Sequence, residues 1–297
     1  MDNIFSTPKP EKKPIDLGGI VAPTVASKKS GRNEDINILD LIDITQKYED
    51  GKITVFEHLN FSVPDITGKG QFIVIMGESG CGKSTILRYI ANLNKPTSGT
   101  FLMRGQPHDE KIHVPMVFQQ YSSFPWKTVL QNVALPLILG GMDEEKANKK
   151  AMEMIEIVGL KGHENKWAKY PTLSGGQLQR VAIARNLVAN PNILLMDEPF
   201  GALDGMTRNQ MQLLIRHIFE EDNGLDPTVI LVTHDVREAV FLASDIFIMS
   251  GKPAVFTHHI EINLPDIRDK NTKKNPLFFE YVEQIEEITT TFKNKKE

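Results

Sequence analysis

The sequence has a single cysteine, Cys81. An internal disulfide framework is therefore excluded, and a reducing compartment fits. Long apolar runs are also missing. Nothing approaches the roughly 18 apolar residues of a membrane-spanning helix; residues 133–139 are too short and include Pro136. Any membrane role must come through a partner. Nor is there an excess of one charge, since 34 basic residues face 38 acidic ones for a net −4. That balance does not favour a nucleic-acid binder, although it leaves room for a local basic patch, and no nucleic-acid partner is expected. No internal repeat or coiled-coil arm is visible.

What remains is ordinary for a globular protein. The 297 residues, 40% hydrophobic and 24% charged, can bury a substantial core as one large domain or as a main domain with an appendage. Residues 1–35 are rich in Pro, Lys and Ser and read as a mobile lead-in. Within them, residues 15–25 are mildly apolar but lack the compact block of an export signal, so a tail or docking segment is expected.

Residues 38–44 and 55–63 predict strands on either side of the turn-like Glu49-Asp50-Gly51. Residues 72–76 predict a buried strand ending at Gly77, and 84–93 a helix stopped before Pro96. Further strands are expected at 99–103 and 114–118. The clearest helix is 143–158, with Asp143 as its cap and Ala147, Ala151, Met154, Ile155 and Val158 on one face. Another follows Pro171–Gly176 and closes before Pro191. Residues 193–196 and 229–232 are apolar without alternation, as central parallel strands covered on both faces should be. Together these features predict an α/β domain over 36–255, with a helical insertion about 122–175. A C-terminal extension, 256–297, carries a terminal helix at 277–292 beyond the main domain.

Gly77-Glu78-Ser79-Gly80-Cys81-Gly82-Lys83-Ser84, followed by Thr85, satisfies the phosphate-loop pattern in the required strand, loop, helix context. The glycines allow sharp turns and close phosphate approach, so that backbone amides at the helix start surround the anion. Lys83 is a mobile point charge for the outer phosphates of ATP, and the Ser84 hydroxyl can ligate Mg²⁺. Ile193-Leu194-Leu195-Met196-Asp197-Glu198 supplies the second half of the site, a buried strand presenting two acids at its end. Asp197 is expected to hold Mg²⁺, and Glu198 to orient and deprotonate the attacking water. Taken alone, the two acids would equally suit a solvated turn; the phosphate loop decides against that. Lys83 and nearby amides should favour a thiolate at Cys81, making the loop open to alkylation without giving the sulfur a catalytic part.

Leu173-Ser174-Gly175-Gly176-Gln177 resembles the signature that separates ABC ATPases from other phosphate-loop proteins. The resemblance continues in order through Gln119, Asp197-Glu198, Gly201-Ala202-Leu203-Asp204 and His234 in Val232-Thr233-His234-Asp235, and covers about residues 38–250. It implies the phosphate-loop ABC ATPase fold, with a mostly parallel core sheet, an antiparallel β subdomain and the helical insertion. It also implies a head-to-tail pair of identical chains, in which Ser174, Gly175, Gly176 and Gln177 of one copy close over the phosphates held by the other. A helix cap is the plainer role for Ser174, and both can hold. In the resemblance Gln119 senses Mg²⁺ and water while linking the site to the insertion, His234 contacts the γ-phosphate, and Asp204 orders contacts between the two ATP sites. Tyr48 stands where such proteins place an adenine-stacking aromatic, with packing in the turn as its alternative.

The chain further resembles importer ATPases for nitrate, sulfonates, taurine and related small nutrients. The residues concerned are Phe124-Pro125-Trp126, Thr128-Val129-Leu130-Gln131-Asn132-Val133, Thr207-Arg208 and Thr233-His234-Asp235-Val236-Arg237-Glu238-Ala239. This implies transmembrane permease subunits, an extracytoplasmic solute-binding protein, and a peripheral place on the cytoplasmic face of the inner membrane. A soluble ABC-type ATPase of DNA maintenance or translation is the alternative, and a regulatory ATP-binding module a further one. Trp126 is expected either in a groove that receives a permease helix or in the core. Two departures stand out: Tyr170-Pro171-Thr172-Leu173 is one residue shorter than usual before the signature, and residues 65–70 form a longer lead into the phosphate-site strand.

Overall fold

The computed structural model describes residues 32–66, 70–109, 113–120, 122–220 and 227–294. The expected N-terminal lead-in thus lies outside the described residues up to position 31, as does the middle of the 65–70 segment.

Two long strands, β1 (Arg32–Tyr48) and β2 (Ile53–Ile66), form an antiparallel hairpin. β3 (Gln71–Gly77) leads into α1 (Lys83–Ile90), and β4 (Ser98–Met103) and β5 (Gln106–Pro107) return to the hairpin to complete a sheet ordered β2-β1-β4-β5. β6 (Met116–Val117) precedes the helical insertion, α2 (Val129–Leu139) and α3 (Glu144–Ile157). Then follow α4 (Gly175–Leu187), β7 (Ile193–Asp197), α5 (Gly205–Glu220), β8 (Thr228–Val232), α6 (Val236–Leu242), β9 (Asp245–Gly251), β10 (Ala254–Glu261) and α7 (Pro276–Asn294). The second sheet runs β10-β9-β3-β8-β7-β6, parallel throughout except for its β10 edge.

Burial on both faces explains the unbroken apolar runs. Along β3, Phe72, Val74 and Met76 enter one core with the helices of the insertion and of the C-terminal half. Ile73 and Ile75 enter a second core against α1 and the antiparallel sheet. β7 and β8 divide their residues in the same way. The central strands are thereby pinned in register, and with them the chemistry at their C-terminal ends.

Three features stand outside the expected outline. Pro136 lies inside α2 without ending it. Burial of Val133, Ala134 and Leu137, together with a Thr128–Gln131 capping box, outweighs the one missing amide donor. β10 continues to Glu261, across the expected boundary at 255. The terminal helix does not stand beyond the main domain, because Phe278, Val282 and Ile285 on one face of α7 enter the same core as α6.

Candidate active site

β3 delivers the chain to the phosphate loop and α1 starts at its last residues. Gly82 caps that helix with φ +98°. A Cβ there would lie 2.6 Å from Phe56 Cε1 and 2.7 Å from Val55 Cγ1, so the hairpin closes directly on the loop and only glycine fits. Lys83 is buried and its ammonium donates to Gly77 O (2.9 Å) and Glu78 O (2.8 Å), which keeps the charge over the loop. Ser84 Oγ donates to Asp197 Oδ1 at 2.9 Å across the gap to the end of β7. Burial holds the Asp197 carboxyl above its ordinary range, with the Ser84 hydrogen bond opposing.

Beyond Asp197, Glu198 takes φ +45° while its amide donates to Val232 O (3.0 Å), tying it to β8. Its Oε2 then stands 3.2 Å from His234 Nδ1. Gln119, after β6, reaches the same place: its Nε2 lies 3.4 Å, and Glu198 Oε2 3.8 Å, from the point a Gly201 Cβ would occupy. Parallel pairing of β6, β7, β8 and β3 thus gathers Lys83, Ser84, Gln119, Asp197, Glu198 and His234 at one edge of the sheet. The donor set suits MgATP. It offers an ammonium and a glycine-shaped loop for phosphate oxygens, and the hard oxygens of Ser84 and Asp197 for a small divalent cation.

Other expected residues are placed apart. Ser174 caps α4, its hydroxyl accepting from Gln177 N (3.3 Å) while Gln177 Oε1 accepts from Ser174 N (2.9 Å). Gly175 begins the helix, Gly176 faces Thr207 of α5, and Gln177 Nε2 is 3.0 Å from His163 Nε2. Among the described residues, no hydrogen bond or ion pair joins this group to Lys83, Ser84 or Asp197. Asp204 accepts from Met206 N and Thr207 N (both 3.1 Å), and the Thr207 side-chain hydrogen bond first, then these amides, hold its carboxyl below the ordinary range. Ser79 and Gly80 are exposed on the loop, and Thr85 is on the first turn of α1. Tyr48 is exposed at the end of β1, opposite Ile53 on the hairpin that abuts Gly82.

Two expectations change. Cys81 is buried, and desolvation pushes its thiol up more than Lys83 lowers it, so the structure does not support an alkylation-prone thiolate. Trp126 is 67% exposed, tilted against Phe124, which removes the core alternative. Two groups without a sequence signature also emerge. Fully buried Asn132 accepts from Phe124 N (2.7 Å) and donates to the carbonyls of Phe124, Lys127 and Thr128. Arg185 of α4 donates to Ser122 O (2.7 Å) and Ser122 Oγ (2.9 Å) and lies over the Phe124 ring. Together they brace the segment between Gln119 and α2. The second group joins Gln212, Glu238 and Lys273 behind His234.

A phosphate loop on a parallel sheet, a two-carboxylate strand end and a signature helix that follows a helical insertion define an ATPase of the cassette type. Comparison with known proteins agrees. The ABC transporter family model matches residues 56–201. The nitrate import ATP-binding protein NrtD of Synechocystis sp. is 38% identical over 84% of this chain and 94% of its own length. The aliphatic sulfonates import ATP-binding protein SsuB 1 of Shouchella clausii is 43% identical over 80% and 85%. Among solved structures, a dimeric bacterial ABC transporter cassette superposes with a TM-score of 0.63 at 33% identity over 76% of this chain and 99% of its own. The structure of cbiO1 from Clostridium perfringens, part of an ABC transporter complex, gives 0.66 at 26% over 76% and 89%. The chain belongs to the ABC transporter ATP-binding proteins. It is an ATPase that uses ATP with Mg²⁺. No helix among the described residues is long and apolar enough to cross a membrane.

Proposed function

We propose that this chain powers uptake of a small nutrient of the nitrate or sulfonate class, working as a pair of identical copies bound peripherally to permease subunits at the cytoplasmic face of the inner membrane. An extracytoplasmic solute-binding protein would deliver the cargo. The observation that carries the reading is the meeting of Lys83, Ser84, Asp197, Glu198 and His234 at the ends of β3, β7 and β8. The named relatives supply the import class.

In this reading Lys83 and the amides of residues 77–85 bind the phosphates, and Ser84, Asp197 and Gln119 hold Mg²⁺. The ion's contribution is to draw off charge from the phosphate oxygens. Glu198 takes the proton of the attacking water, and His234, held by Glu198, orients the γ-phosphate. Ser174, Gly175, Gly176 and Gln177 of the second copy close the site, Asp204 aligns the two sites, and Tyr48 stacks on adenine. The helical insertion at 122–175, with Trp126 exposed on it, receives the permease.

The test is substrate-stimulated ATPase activity of the chain reconstituted with co-purified permease subunits. Stimulation by a nitrate- or sulfonate-class solute is expected. A chain that hydrolyses ATP equally well when held strictly monomeric would refute the shared site.

A further inference from the structure

The polar group behind His234, buried at Gln212 and Glu238 and half-buried at Lys273, has no part in the site as described. Lys273 lies in a short 3-10 turn, Thr272–Lys274, just before α7. Its Nζ donates to Asn209 Oδ1 (2.7 Å) and Gln212 Oε1 (2.8 Å) on α5 and stands 4.5 Å from the centre of the Phe241 ring. Because an ammonium only donates, it fixes the Gln212 amide with oxygen towards Lys273. The amide nitrogen then points the other way and donates to Glu238 Oε2 at 3.0 Å. Gln212 and Glu238 are both buried.

Glu238 in turn holds the loop of the site. Its carboxylate accepts from the Thr233 side chain, whose Oγ1 accepts from Asp235 N (3.1 Å). Asp235 Oδ1 accepts from Glu238 N (3.0 Å), closing a ring of bonds around residue 234. Arg208, one helical turn before Gln212, pairs with Asp235 Oδ2 (3.6 Å) and donates to Leu203 O (3.2 Å), the residue before Asp204.

We propose that Lys273 is a positioning residue for ATP hydrolysis: through Gln212 it fixes Glu238, and through Glu238 the Thr233–Asp235 turn that presents His234. The C-terminal segment thereby sets the hydrolytic geometry through α5 and α6. The inference rests on the reading of His234 as the phosphate contact. The ionised form of Glu238 is the one that accepts from both Thr233 and Gln212. Burial pushes this carboxyl up to about 7; Asp235 beside it raises it, Arg208 lowers it, and the Lys273 ammonium faces it through Gln212, with Arg237 adjacent. Turnover should therefore rise with pH through the neutral range.

The experiment measures kcat and KM for MgATP from pH 6 to 9 on the full chain, with thermal melting, for Lys273→Met, Lys273→Arg, Gln212→Glu and His234→Ala. Lys273→Met should lower kcat about 5- to 20-fold, move KM less than about twofold and shift the rise in kcat to higher pH. Lys273→Arg should recover most of the loss. Should Lys273→Met fail to fold, Gln212→Glu decides, since it keeps an acceptor for Lys273 yet removes the donor to Glu238 and adds a like charge beside it. It should lower kcat and shift the profile in the same direction. Unchanged kcat and pH profile in the folded variants, with His234→Ala inactive, would overturn the role of Lys273 alone. An active His234→Ala would overturn the reading of the site and this inference with it.

Discussion

Replacing Glu198 by Gln tests the centre of the chemistry with little disturbance around it. The amide has the carboxylate's shape, so it can still meet His234 Nδ1, which lies 3.2 Å from Glu198 Oε2. Both side chains bear the left-handed backbone at this position equally, so folding stability should change by less than about 0.5 kcal/mol. The phosphate ligands are untouched, because Lys83 is anchored on the loop and Ser84 on Asp197. What disappears is the proton acceptor and its negative charge. A positioned general base contributes about 10²- to 10⁴-fold, so the barrier should rise by roughly 3 to 5 kcal/mol. Phosphate release in a single turnover reads the chemical step, and calorimetric titration with MgATP reads binding. Turnover should fall by at least about a hundredfold with affinity within about twofold. Unhydrolysed ATP should also hold the paired state, visible by sedimentation. A fall of less than about tenfold, or loss of MgATP affinity, would refute the assignment.

Gly82→Ala should cost about 2 to 4 kcal/mol in urea unfolding, from its left-handed backbone and displacement of Phe56 and Val55, and should weaken MgATP binding. Native Cys81 should react with iodoacetamide much more slowly than the unfolded chain, because its thiol is buried and held protonated. For Glu238, the sign follows from a carboxyl raised from 4.5 to about 7 in the fold. Its contribution to stability is fullest below the unfolded value and declines as pH rises through about 7. The wild type should therefore lose up to about 3 kcal/mol between pH 4.5 and 8 relative to Glu238→Gln, measured by urea melts at both pH values.

Much of the fold was legible because its rules are local. Asp143 does cap α3, accepting from Glu145 N and Lys146 N, and the two apolar runs became central parallel strands. The phosphate loop and the acids at the end of β7 carry their chemistry in a fixed spacing, so both halves of the site are readable from sequence, and Ser84 does meet Asp197. What was not legible depends on distant neighbours. Whether a proline ends a helix depends on how much of that helix is buried elsewhere, as α2 illustrates. The terminal helix was legible, but not the core that takes up its apolar face. Lys83 beside Cys81 suggested an acidic thiol, while the desolvation that prevails comes from burial invisible in the sequence. Gln212, Glu238 and Lys273 are ordinary polar residues until three separate elements meet.

Asn132 bonds both ends of the turn from Phe124 to Thr128 and belongs to the helix that starts at Val129. The turn that carries the projecting indole of Trp126 is therefore fixed to α2 at both ends. Arg185, near the end of α4, reaches the adjoining Ser122 and the Phe124 ring, and α4 is the helix capped by Ser174. The exposed indole and the signature cap are thus joined through two helices and a set of polar bonds rather than by loop alone.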